Sequence, residues 1–144
     1  MKVGGHLLER AADPYDHFQA TDLMMLDTGD LRVAASERRA GYARLYPHQF
    51  TIRSHVASGR QTELAKIVNG HGDWMFYGHS NASQTGLESW WLIDPWAFRA
   101  VLIRHMAYSP QIVMGDQANS DGTWFKWFDV RSFPAEPPLV VASS

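Results

Sequence analysis

Apolar positions change period several times along the chain. Gln49-Phe-Thr-Ile-Arg-Ser54 alternates apolar and polar residues with period two, the pattern of a half-buried strand. Leu64, Ile67 and Val68 instead fall at helical spacing, with Glu63 and Lys66 on the other side. Ser58 and Gln61 have the S-x-x-Q spacing of a capping box ahead of that helix, and Asn69-Gly70 is a natural stop behind it. Asp22–Leu26 and Leu31–Ser36 predict a hairpin around the turn Asp27-Thr-Gly-Asp30, where glycine tolerates positive φ. Trp74–Tyr77, Trp90–Ile93 and Trp124–Val130 are short aromatic runs expected as strands. Pro95 precedes an amphipathic helix over Trp96–His105, and a shorter helix over Leu7–Ala12 is stopped by Asp13-Pro14. Ser80–Glu88 and Gly115–Gly122 are expected as loops. The order predicts an α+β (mixed α/β) domain with a central mixed sheet flanked by helices. Residues 1–133 are expected to form it, and Pro134–Ser144, with three prolines, to be a loosely ordered tail.

Composition narrows the function classes. With 144 residues, 45% of them hydrophobic, the chain can bury a core without staples. The absence of cysteine excludes disulfides, thiolate metal sites and a cysteine nucleophile. No apolar run approaches the roughly 20 residues needed to span a bilayer. The opening MKVGGHLLERAADP lacks the apolar region of a signal peptide, so a cytoplasmic protein with no membrane partner is expected. There is no nucleophile elbow, no phosphate-binding glycine loop, no H-E-x-x-H and no dinucleotide fingerprint.

Net charge is only −2, but it is unevenly spread. Residues 1–30 set Lys2 and Arg10 against Glu9, Asp13, Asp16, Asp22, Asp27 and Asp30, a net −4. Residues 31–62 set Arg32, Arg38, Arg39, Arg44, Arg53 and Arg60 against Glu37 alone, a net +5. Every cation there is arginine, the side chain suited to bidentate phosphate contact. Either a nucleic-acid partner or a solvated arginine-bearing sheet edge accounts for this stretch.

Two constellations carry candidate chemistry. His71, Asp73 and His79 are acceptable metal ligands, yet His79 would lie about 20 Å from Asp73 on a straight strand. The alternative is that His71 follows a helix stop and His79 ends a strand. Asp22 opens one strand of the hairpin and Glu37 closes the other, so the two carboxylates can share Mg²⁺ or Mn²⁺, with Glu9 and Lys66 as further candidates. Wet strand ends collect acidic residues in any case. Trp90, Trp91 and Trp96 can stack bases or fill a core.

A helix carrying Glu9, then Asp22 on a strand, a glycine turn, and a strand ending in the acidic-basic cluster Glu37-Arg38-Arg39 resembles the PD-(D/E)xK nuclease superfamily. The stretch FTIRSHVASGRQTELAKIVNGHGDWMFYGHS, followed by WWLIDPWAFR, is similar to small proteins of phage and prophage origin. The resemblance spans roughly residues 6–104. It implies a restriction-endonuclease-like fold and a metal-dependent nuclease acting on DNA phosphodiester bonds. Asp22, Glu37 and Glu9 would hold the metal, with Asp22, Glu37, Arg39 and Lys66 catalytic. Arg38, Arg44, Arg53 and Arg60 would contact nucleic acid. The chain departs from the pattern where acid-x-lysine is expected: Arg39 stands in place of the lysine, and arginine stays protonated. That departure leaves open a degenerate nuclease-like fold used as a DNA- or protein-binding or structural module, with a protein partner or a homo-oligomer as its assembly.

Overall fold

A computed structural model of the chain describes residues 24–28, 31–108 and 112–144. The expected helix over Leu7–Ala12, and with it Glu9 and Asp22, lies outside the described residues. The class is α+β, but the strands form two sheets rather than one. Strands β1 (Met24–Thr28) and β2 (Leu31–Arg38) pair antiparallel, with Met24 opposite Ala35. β2 then lies parallel to β4 (Trp74–Ser80), from Val33 opposite Trp74 to Arg38 opposite His79. Parallel neighbours require a long crossover. Here it contains the one-turn helix α1 (Tyr42–Leu45), strand β3 (Gln49–His55) and helix α2 (Glu63–Val68). β5 (Leu87–Ile93) and β8 (Val140–Ser143) complete a first sheet ordered β1-β2-β4-β5-β8. β3 leaves for a second sheet, ordered β3-β7-β6, with β6 at Met114–Ala118 and β7 at Trp124–Asp129.

The core fills the space between the sheets and helix α3 (Pro95–Ala107). The period-two pattern of β3 sends Phe50 and Ile52 inward, where they are 0% and 1% exposed. Phe50, Phe98, Phe128 and Phe133 form a cluster with ring centroids 5.0–6.5 Å apart. Its edge-to-face pairs each add about 0.5–1.5 kcal/mol beyond area burial. α3 is anchored at its start: Asp94 Oδ1 accepts from the backbone N–H of Trp96 at 2.8 Å, and Pro95 occupies the first turn. Its outer side remains apolar, with Trp96, Ile103 and Met106 exposed, so the expected amphipathic split is incomplete.

Three local expectations differ from the structure. The α2 cap is Thr62, whose Oγ1 accepts from Ala65 N–H at 3.2 Å, not Ser58. Gly59, at φ 69°, turns the chain between the two, so no helix can run through it. The expected stop at Asn69-Gly70 is present, with Gly70 at φ 82° and His71 N–H donating back to the Lys66 carbonyl at 2.9 Å. The stretch expected as a loop at Gly115 begins instead within β6. Gly115 sits under the Trp127 ring, where a Cβ would come within 2.7 Å of the indole, so the glycine serves close packing rather than a turn. Finally, the expected loose tail contributes Leu139 to the core and Val140–Ser143 to the edge of the first sheet. The apolar triplet Leu139-Val140-Val141 after the prolines is the physical reason.

Candidate nucleic-acid interface

At the end of β2 the chain reverses through Arg39-Ala40-Gly41, with Gly41 at φ 90°. That turn returns α1 over the strand end and delivers Tyr42 and Tyr46, whose rings stack at 6.1 Å. Arg38 lies beneath. Its guanidinium carbon is 4.8 Å from the Tyr42 centroid and 5.1 Å from that of Phe125 on β7. Its Nε donates to the Tyr77 hydroxyl at 2.9 Å, and that hydroxyl also pairs with Thr51 Oγ1 at 3.2 Å. Stem and orientation are therefore fixed from three sides. Among the described residues, the Nη groups of Arg38 have no hydrogen-bond partner.

The second sheet supplies the facing wall. The alternation that buries Phe50 and Ile52 turns Gln49, Thr51 and Arg53 the other way, into a cleft. Cross-strand register sets Arg53 opposite Phe125, and Phe125 opposite Gln117. It likewise sets Thr51 opposite Trp127. The β6–β7 loop closes one end: Asp121 Oδ1 accepts from Thr123 N–H and Oγ1 at 2.9 and 2.6 Å, and Asn119 Nδ2 donates to Thr123 Oγ1 at 2.9 Å. Those Thr123 bonds, aided by the Arg53 charge, hold the Asp121 carboxyl below its usual range. Three arginines, Arg38, Arg39 and Arg53, and this one carboxylate line the cleft.

Burial pushes the Tyr77 phenol up against the opposing pull of Arg38, so it stays neutral and keeps both hydrogen bonds. Burial, then the Arg38 charge, lowers His79, whose Nδ1 lies 3.2 Å from Ser89 Oγ. His79 also packs edge-on against Tyr77 and Trp91.

The structure thus assembles Arg38, Arg39 and Arg53, while Arg44 and Arg60 stand outside the cleft. Glu37 points to the opposite face of the first sheet from Arg38, where its carboxylate accepts from Ser80 Oγ. Lys66 sits on α2, whose Ile67 packs into the core on the Arg38 side, so the sheet separates Lys66 from Glu37. His71, Asp73 and His79 serve separate roles: Asp73 accepts from Arg32 N–H at 2.8 Å, and His79 is buried in β4. Among the described residues no three His, Asp or Glu side chains converge on a point that could hold a metal. Trp91 stacks on Tyr77 and Trp90 on Phe76, as parts of the sheet faces.

Sequence reasoning passed over Tyr42, Tyr46, Phe125, Trp127, Gln117 and Asn119. Two signals for them exist: Tyr42 and Tyr46 follow the Arg38-Arg39 pair at i, i+4 spacing, and Phe125 and Trp127 share one face of a strand. Among the described residues no helix is long and apolar enough to cross a membrane. The chain matches no family model, no curated protein and no solved structure.

Proposed function

We propose that the protein binds nucleic acid through the arginine–aromatic cleft, on a scaffold of restriction-endonuclease-like type. The observation that carries this reading is Arg38, clamped between Tyr42 and Phe125 and tied by Nε to Tyr77. A guanidinium held in place loses little rotamer freedom when it forks onto a phosphate, so each bond formed is worth more. Arg39 and Arg53 line the same cleft and extend its positive surface, which suits a run of phosphates. Fluorescence anisotropy with labelled oligonucleotides across a salt series tests it. Affinity falls steeply with salt, and Arg39→Gln lowers the slope of log K against log salt by about 0.7–0.9, one phosphate contact. A flat salt response, or none of the slope lost in Arg39→Gln, overturns the reading.

Phosphodiester cleavage is the second reading. Glu37 favours it, an exposed carboxylate near the end of β2, on the sheet face opposite Arg38. Glu37 is the one Mg²⁺ candidate among the described residues, and a single carboxylate makes no metal site, so no step is derived through the ion. Nicking of supercoiled DNA in Mg²⁺ or Mn²⁺ should vanish in Asp22→Ala; nicking that survives the substitution removes this reading.

A further inference from the structure

The cleft has two lobes that share Arg38, Tyr42, Asn119 and Phe125. The first encloses about 200 Å³ and adds the charged groups Arg39, Arg53 and Asp121. The second encloses about 420 Å³ and adds Tyr46, Gln49, Gln117 and Trp127, with no charged side chain of its own beyond the shared Arg38. One lobe therefore suits an anion. The other suits a flat, polar-edged, uncharged group: the Tyr46 ring and the Trp127 indole line it, and two glutamine amides offer donors and acceptors. Gln117 Nε2 donates to the Ala118 carbonyl at 3.2 Å, which steadies the amide beside the lobe.

We infer that the cleft accepts a single nucleic-acid strand, with a phosphate on the arginine lobe and its unstacked base in the amide–aromatic lobe. This rests on the nucleic-acid reading above and adds the strandedness of the ligand. A duplex keeps its bases paired and stacked inside a shell of phosphates, so it can fill the arginine lobe but not the second. A single strand splays its bases at little cost, and bases stack on exposed aromatic rings regardless of sequence. Tyr46 is the residue to vary, because it is 46% exposed and its ring meets only Tyr42 among the described aromatic contacts.

The experiment compares anisotropy titrations of one labelled oligonucleotide, single-stranded and annealed to its complement, at one salt concentration, for wild type, Tyr46→Ala and Tyr46→Phe. Far-ultraviolet dichroism confirms that each variant is folded. The single strand binds the wild type more tightly than the duplex. Tyr46→Ala weakens the single strand about tenfold, the loss of one stacked base, and leaves the duplex unchanged, while Tyr46→Phe retains the wild-type affinity. Duplex binding as tight as single-strand binding, with Tyr46→Ala silent on both, overturns the inference and leaves nucleic-acid binding standing. Absence of salt-dependent binding to either ligand overturns both.

Discussion

Two aromatic clusters occupy the two sides of β3 and behave differently. On one side Phe50, Phe98, Phe128 and Phe133 close on one another, and the first three are wholly buried. On the other side Tyr42 and Phe125 close on a guanidinium instead, and Tyr42, Tyr46 and Trp124 remain open to solvent. A cluster that satisfies itself stabilises the fold and offers nothing to a ligand. A cluster built around a cation, with rings left uncovered, has contact energy still to gain when something anionic and flat arrives.

Substitutions separate the two most directly. Phe98→Ala opens a cavity in the closed cluster and should cost about 3–5 kcal/mol in urea unfolding, a large part of a small domain's stability. Arg38→Ala should reverse the balance: binding weakens by about 1.5–3 kcal/mol in the anisotropy assay, the range for hydrogen bonds to a charged group. The comparison breaks if Arg38→Ala leaves affinity intact while unfolding the protein as Phe98→Ala does. Gly115→Ala forces a methyl against the Trp127 ring and should lower stability by about 1–3 kcal/mol, with ligand affinity falling as the indole shifts into the cleft. Tyr77→Phe sits on the seam between the clusters; loss of the hydroxyl that joins Arg38 to Thr51 should cost about 1 kcal/mol of stability and loosen binding together.

The smallest effect is one of pH. His79 titrates lower in the folded chain than when unfolded, chiefly through burial. The unfolded state therefore takes up protons first, and stability is full above about pH 6.5 and declines as the pH drops below it. Melting temperatures recorded from pH 8 to pH 5 should show this decline, flattened in His79→Gln. An equal decline in that variant would place the titrating group elsewhere.

Much of the scaffold was legible. β3 declared itself by its alternation, α3 by Pro95, and the end of α2 by Asn69-Gly70, because each signal acts within a few residues of the structure it causes. Gly115 and the C-terminal strand were not, since a glycine that admits an indole from a neighbouring strand looks like a glycine that makes a turn. The arginines were visible as a cluster in sequence, but their sorting was not. Arg38, Arg39 and Arg53 share a cleft, whereas the Arg32 guanidinium lies 3.5 Å from Asp73 instead.

What the sequence determined by itself is local: an α+β mixture of short strands and helices, no thiol chemistry, and an arginine-rich stretch in the first half of the chain. Only the tertiary structure decided that β3 leaves the first sheet to start a second, and that the end of β2 therefore faces β7 across a cleft. The reason is range. Capping, periodicity and turn chemistry are settled between near neighbours, whereas Arg38 meets Phe125 across 87 residues of chain, through a register that no local pattern encodes.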